Sequence, residues 1–317
     1  MSISVVITAH NEGDEVLRTI DSICANTRDR TEIVLVDDGS TDGSCYHALG
    51  SDVRLLSNRD RQGVAPSRNA GAKIATGTAL AFVDAHQRFS PGCLERCAEI
   101  ALARNAIVWP DVCGMDDKSA VCHGARFRFR LGRGFYARWN LPRPLTAISR
   151  ISSLKAPGYV MPRRVYDQVR WPPQLRGWGG SEAAVSLKAF FLGIPILHLC
   201  GPLARHLFKR SFQYDVNAEG VARNHAVIAR ICFDDRTWHE HWLPRVFAKE
   251  LAESTLRELD SPSIRDEQRE FQRRKIRPDR DFWRWLLKTP EPQSLRRKSI
   301  ALDCGGGFPS AATKPWA

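Results

Sequence analysis

Ala79-Leu80-Ala81-Phe82-Val83-Asp84-Ala85-His86 is the stretch on which the reading of this chain turns. Five small or apolar residues in a row read as a buried strand, and the run ends abruptly in an acid, a small residue and an imidazole. Side chains two apart on an extended segment point to the same side, so Asp84 and His86 face one another's space. Open α/β sheets bind ligands just beyond the carboxyl ends of their strands. One carboxylate oxygen and one imidazole nitrogen placed there suit a divalent cation, Mn²⁺ better than Ca²⁺. Taken alone, an Asp-x-His pair is a weak signal, and its weight depends on what surrounds it.

Upstream, residues 3–9 are β-branched and apolar, as in a buried parallel strand. A polar loop containing His10, Asn11 and Glu12 follows, and Val16, Ile20 and Ile23 carry a helical period to about residue 26. Residues 32–36 form the next strand, ending in Asp37-Asp38-Gly39-Ser40-Thr41-Asp42, a turn rich in acceptors that also serve to cap a helix. A short strand at 53–56 and a small-residue helix at 66–75 precede the opening stretch. Strand alternating with helix predicts a doubly wound, mostly parallel sheet flanked by helices over about the first 110 residues.

Downstream, residues 109–157 show little periodicity, apart from Arg126-Phe127-Arg128-Phe129-Arg130, which reads as an edge strand or as a contact for an acidic or sugar-bearing partner. A strand at 159–161, a helix at 163–169, a Trp/Pro/Gly-rich loop at 171–180 and a helix from Ser181 to about 192 follow. Residues 195–199 are a strand leading to Ala204-Arg205-His206. Helices are expected at 221–233 and 244–259, then a basic helical stretch at 265–287 with Phe271, Phe282, Trp283 and Trp285 as its apolar contacts.

The 317 residues suffice for a large core, and 43% hydrophobic with 26% charged residues is ordinary for a soluble globular chain. A net charge of +12 favours anionic partners, and residues 263–300 hold 12 Lys/Arg against 6 Asp/Glu. Nine scattered cysteines without paired CxxC units argue against structural zinc and for reduced thiols. The chain enters a strand directly, without a leader, and no window resembles a membrane span, so a cytoplasmic location is expected.

Four loops converge on one sheet edge: Asn11-Glu12, Asp37-Asp38, Arg68-Asn69 and Asp84-His86. A carboxylate ending the second strand is placed to bind a ribose or base, and Arg68 to pair with phosphate through its planar fork. Asp38 as a turn cap and Arg68 as a helix-surface charge remain equal alternatives at this point.

In combination these pieces resemble a known family. Residues 4–12 with Val36-Asp37-Asp38-Gly39-Ser40-Thr41-Asp42 resemble the family 2 glycosyltransferases of the GT-A fold. More narrowly, residues 63–73 with Phe82-Val83-Asp84-Ala85-His86 resemble the donor helix and metal motif of the polypeptide N-acetylgalactosaminyltransferases. Pro157-Gly158-Tyr159-Val160-Met161, Trp178-Gly179-Gly180, Ala204-Arg205-His206-Leu207-Phe208-Lys209 and residues 222–235 match further motifs in the right order.

The resemblance implies a UDP-sugar donor, with Asp84, His86 and His206 as ligands of Mn²⁺ or another divalent cation. It implies donor contacts from His10, Asn11, Glu12, Asp38, Arg68, Asp84, Trp178, Gly179 and Gly180, and a hydroxyl or thiol acceptor on a peptide or protein. Asp84 and His86 would serve catalysis through the ion. The family carries Glu-Asn after Trp-Gly-Gly, where this chain has Ser181-Glu182. Glu182 therefore stands either as a general base for an inverting transfer or as a helix-start acid behind Ser181 as N-cap. The expected organisation is a catalytic domain over 1–237, a basic helical extension over 238–300 in place of the lectin domain of animal members, and a flexible tail over 301–317. A glycan or small-molecule acceptor is the first alternative. The second is a non-catalytic nucleotide-binding protein whose basic C-terminus engages nucleic acid or an anionic surface, with nucleic acid the less favoured partner. The sugar, its anomeric outcome and the oligomeric state are not encoded legibly.

Overall fold

The computed structural model describes residues 1–27, 31–48, 53–209 and 216–295. The chain runs β1 (Ile3–Ala9), α1 (Glu15–Asn26), β2 (Thr31–Asp37), β3 (Val53–Ser57), α2 (Val64–Ile74), β4 (Ala79–Asp84), β5 (Gln87–Phe89) and α3 (Cys93–Arg104). It continues through β6 (Ile107–Gly114), β7 (Ala125–Arg130), β8 (Gly134–Trp139), β9 (Ile148–Ile151), β10 (Tyr159–Pro162), α4 (Arg163–Val169), α5 (Ser181–Phe191), β11 (Ile196–His206) and α6 (Ala218–Cys232). The main sheet has the order β3-β2-β1-β4-β10-β6-β11-β5, with β9 paired to β11. Its first four strands are parallel, and of its nine strands only β10, β5 and β9 oppose the common direction. The mostly parallel, helix-flanked α/β architecture expected from the sequence is therefore present.

Alternation along each strand divides the core in two. In β4, Ala79, Ala81 and Val83 point to a layer that α1 closes with Val16, Ile20 and Ile23, and α3 with Leu94, Cys97 and Ala101. Leu80 and Phe82 point the other way, against Trp171, α5 and α6. Phe82 meets Trp171 edge-on at 4.8 Å.

Residues 109–157, nearly featureless to the period test, hold most of β6 and all of β7, β8 and β9. Strand β6 is buried along its whole length, but Pro110 and Asp111 interrupt its apolar run. The Arg126–Arg130 segment is a strand as expected, paired with β8 in a separate two-stranded sheet.

Beyond α6, the segment from 238 is woven into the same core. Asp235–Thr237 continues into a π-helical stretch, Trp238–Phe247, which contains Pro244. The helices Glu253–Glu258 and Pro262–Arg274 and the turn Phe282–Leu287 then follow. The basic helical stretch expected over 265–287 is thus interrupted after Arg274 and resumes only as the π-helical turn Phe282–Leu287. Phe282 meets Phe127 at 6.1 Å and Phe233 at 5.0 Å, and Trp242 meets Phe135 at 5.2 Å. Trp285, expected among these contacts, is instead 59% exposed, with the Arg284 guanidinium 4.8 Å from its ring centre. The 301–317 tail lies outside the described residues. No described helix is long and apolar enough to cross a membrane.

If this aromatic cluster belongs to one cooperative core, Phe282→Ala lowers the stability of the whole chain by about 3–5 kcal/mol. Urea unfolding followed by tryptophan fluorescence and by far-UV circular dichroism should give one shared, shifted transition. Separate transitions would show that the C-terminal helices fold apart.

Candidate active site

At the carboxyl ends of β1, β2 and β4 lies a cleft of about 540 Å³. Thr8, His10, Glu12, Asp38, Arg68, Asp84 and His86 form one wall. Trp178 to Ala183, His206 to Lys209 and residues from the β8 strand form the others.

The path of the chain explains how distant residues meet. After Asp84 the backbone leaves β4, turns at Ala85-His86, and enters β5, which pairs with the end of β11 rather than with β4. Gln87 faces His206 in that ladder, and the Leu207 amide donates to the His86 carbonyl at 3.1 Å. Strand β11 reaches this point because its register shifts between Leu199 and Leu203, a bulge that bends the strand. Asp111 holds the bulge: one oxygen accepts from the Gly201 amide at 2.8 Å. Its other oxygen lies 2.6 Å from His123 Nδ1 and 2.7 Å from His198 Nε2. This second carboxylate–imidazole group closes on its own hydrogen bonds.

Asp84, His86 and His206 offer ligand atoms that all lie within 4.8 Å of one another. Glu12 Oε2 lies 3.0 Å from His86 Nδ1 and accepts from Lys209 Nζ at 2.7 Å. Engaging Nδ1 orients the His86 ring and frees Nε2 as a ligand atom. His206 Nε2 is 3.3 Å from Asp84 Oδ2, while its Nδ1 is buried without a hydrogen-bond partner among the described residues. A His206 ring with one nitrogen beside the Asp84 carboxylate and the other unpartnered, set against a second imidazole, fits a divalent-cation site. Burial raises the Asp84 pKa, but the His206 hydrogen bond and the Arg68 charge outweigh it and hold the carboxyl below its usual range. Glu12 is likewise held low, against its burial, by His86 and Lys209.

Arg68 departs from the expected role. Its guanidinium is buried, donating to Glu182 Oε1 at 2.7 Å and to Asp84 Oδ1 at 3.2 Å. It is a strut between two carboxylates rather than a free fork for phosphate. Glu182 also accepts from the Ser181 hydroxyl at 2.6 Å. The N-cap of α5 is Gly180, at φ +83, so Ser181 is not the cap. Asp38 Oδ1 accepts from Asn58 Nδ2, the Gln62 amide and Ser67 Oγ, and Oδ2 from the Gly63 amide, all within 2.9 Å. That carboxylate organises the entry to α2, the capping alternative left open by sequence. Gly63 suits its place because a Cβ there would lie 2.3 Å from the Gly177 nitrogen. Asn11 is turned away into a loop clasp, its Oδ1 accepting from the Thr41 amide at 2.7 Å. His10 Nδ1 lies 2.9 Å from the Asp38 carbonyl, and Trp178, Gly179 and Gly180 line the cleft.

Sequence reasoning missed Lys209 as a partner of Glu12, although it quoted the residue. It also missed Tyr136, Trp139, Lys155 and His225 on the far wall, where no local period marks a site.

With this geometry established, comparison with known proteins is decisive. Residues 4–168, just over half of the chain, match Glycosyl transferase family 2. The chain belongs to that family. It is similar to human polypeptide N-acetylgalactosaminyltransferase 10, 28% identical over 265 residues, covering 73% of this chain and 42% of the relative. Polypeptide N-acetylgalactosaminyltransferase 5 of Caenorhabditis elegans is 26% identical over 264 residues, covering 73% and 41%. The chain thus spans less than half the length of these curated relatives. Among solved structures, GalNAc-T7 with UDP, GalNAc and Mn²⁺ shares the fold at a TM-score of 0.69 and 20% identity, covering 91% of this chain and 57% of that one. The S. aureus TarS 1-349 complex with UDP-GlcNAc gives 0.51 at 14% identity, covering 87% and 82%. The fold is that of the GT-A glycosyltransferases, and the family resemblance read from sequence holds.

His225, on the wall of the cleft, is buried, and burial pushes its pKa down to about 4. The unfolded chain therefore binds more protons than the folded one between about pH 4 and the ordinary histidine value of ~6.5. Stability should rise with pH across that window, and His225→Leu should flatten the slope. Chemical denaturation at stepped pH measures both.

Proposed function

We propose that this chain transfers a sugar from a UDP-sugar to a hydroxyl acceptor on a peptide or protein, with a divalent cation bound by Asp84, His86 and His206. The observation that carries the reading is the meeting of these three side chains at the carboxyl edge of the sheet, with the His206 Nδ1 buried and unpartnered. The similarity to polypeptide N-acetylgalactosaminyltransferases supports the peptide acceptor, and the UDP and UDP-GlcNAc bound in the GalNAc-T7 and TarS structures support the donor.

Bound there, the cation supplies Lewis acidity against the charge that grows on a departing diphosphate. The chain's own residues prepare that site. Glu12 orients the His86 ring, and Lys209 balances the Glu12 charge. Arg68 holds Asp84 ionised and in place. Trp178 offers an apolar wall, and the Gly179-Gly180 backbone presents no side chain toward the cleft. For Glu182, the geometry favours a positioning role over that of a general base, because both its oxygens already accept from Arg68 and Ser181. Among the described residues all eight cysteines are free and six are buried, which supports a reducing, cytoplasmic setting.

Asp84→Ala and His206→Ala should each weaken Mn²⁺ binding by more than ~100-fold, beyond what loss of an outer-shell partner does. Mn²⁺-stimulated UDP release from a panel of UDP-sugars should disappear with it, while the circular dichroism spectrum is retained. UDP release that a chelator leaves unchanged in the parent protein would overturn the reading.

Glu182→Gln is expected to keep transfer within about 10-fold of the parent while lowering the melting temperature. A loss above ~100-fold with an unchanged melting temperature would restore the general base. Intact-mass measurement of peptide acceptors, alongside thermal melts, separates the two.

A further inference from the structure

From Lys118 to Tyr166 the chain contains eleven Lys/Arg and no Asp or Glu. This stretch includes the two-stranded sheet of β7 and β8 and the strand β9. Alternation sorts the small sheet into two unlike faces. Phe127, Phe129 and Phe135 pack inward, toward Trp242 and Phe282. Arg126, Arg128 and Arg130 stand on the opposite face of β7. The ladder sets Arg126 opposite Arg138 and Arg128 opposite Tyr136, so Arg138 and Tyr136 share that outer face. No described carboxylate lies within ion-pair distance of Arg126, Arg128, Arg130, Arg133 or Arg138. Arg126 Nε donates to Asn140 Oδ1 at 2.8 Å and Arg128 to the Phe127 carbonyl at 3.1 Å, both neutral acceptors. Like charges directly opposite in a ladder are destabilising, and no described carboxylate offsets the Arg126–Arg138 pair.

The face adjoins the cleft. Tyr136 lines the cleft wall, and Arg133, also lining it, lies with its guanidinium 4.3 Å from the Tyr136 ring centre. Lys155 stands farther along the same wall, 4.9 Å from the Trp139 ring centre.

We infer that the outer face of the β7–β8 sheet docks an acidic, extended segment of the acceptor peptide beside the glycosylated hydroxyl. This deepens the proposed peptide acceptor and rests on that reading. Alternate residues of one strand are spaced about 6.8 Å apart, twice the rise per residue, and so are alternate carboxylates of an extended peptide. Guanidinium groups meet carboxylates through paired hydrogen bonds, which fixes the register as well as the charge. Single-stranded nucleic acid fits less well. Such strands need aromatic platforms for their bases, whereas the phenylalanines here are turned inward and Tyr136 is covered by Arg133.

The test uses the full chain and fluorescein-labelled peptides of alternating Asp and Ser, with Asn replacing Asp in the control. Anisotropy at low salt should show the acidic peptide binding at least about 10-fold tighter than the control, with the difference shrinking as salt rises. The quadruple variant Arg126→Gln, Arg128→Gln, Arg130→Gln, Arg138→Gln should lose that preference while its melting temperature is kept or raised, since the opposed Arg126–Arg138 charges are removed. Its metal-stimulated UDP release should also be unchanged, since none of the four lines the cleft. Equal binding of both peptides, or an undiminished preference in the variant, overturns the inference. So does tighter binding of a single-stranded RNA of matched length, lost in the same variant. If neither protein releases UDP, the glycosyltransfer reading fails while the peptide preference is still decided by the anisotropy.

Discussion

The site depends on one buried guanidinium. Arg68 sits almost free of solvent, between Asp84 on β4 and Glu182 at the start of α5, with the Trp171 ring 5.5 Å away. A charge in that position is tolerated only because two carboxylates face it; breaking such a pair from one side costs about 3–5 kcal/mol. The arrangement ties the sheet, α2 and α5 together at the cleft. It also leaves Asp84 ionised, with its second oxygen turned to His206. Counting Glu12 and Lys209, three carboxylates face two fixed cations, so the cluster keeps one negative charge in excess. That excess has the sign that the proposed divalent cation would meet on binding.

The second constraint is the bend in β11. A regular strand continuing from Leu199 would carry its residues along β6 in unbroken register. The bulge at 200–202 lets the last four residues pair with β6 and the last three of them also with β5, which sets His206 beside the Asp84-His86 corner. Asp111 makes that possible by gathering the Gly201 amide and two imidazoles around one carboxylate. Although burial pushes the Asp111 carboxyl up, these hydrogen bonds hold it below its usual range. The buried acid in the middle of β6 is thus the anchor of the bend that places His206, a residue of another strand, at the cleft.

These two constraints explain what the sequence could and could not convey. The Asp84–His86 relation follows from a period of two and was legible from the stretch alone. His206 was legible only through the order of motifs shared with relatives, because the bulge that delivers it has no local pattern. For Arg68 and Asp38 the residue type leaves a ligand contact and a structural role equally open, and the structure shows both engaged by their own chain. A residue type at a loop states what chemistry is possible, whereas its partners are set by loops many residues away. The same limit hid β6 and β9. The first is interrupted by Pro110 and Asp111, and the second is four residues long, with its ladder partner in β11.

The small β7–β8 sheet shows how one element serves the core and the cleft together. Its inward phenylalanines join Phe233, Trp242, Phe282 and Trp283, so the C-terminal helices are the floor on which the cleft's far wall rests. His225 on α6 fills the space beneath Gly134, where a Cβ would lie 2.0 Å from its Nδ1. The wall therefore cannot move toward α6 without displacing a buried ring. A wall fixed from behind can present a fixed row of charges in front. That rigidity is what gives the spacing of Arg126, Arg128 and Arg130 any power to discriminate, since arginines on a mobile loop would answer only to net charge.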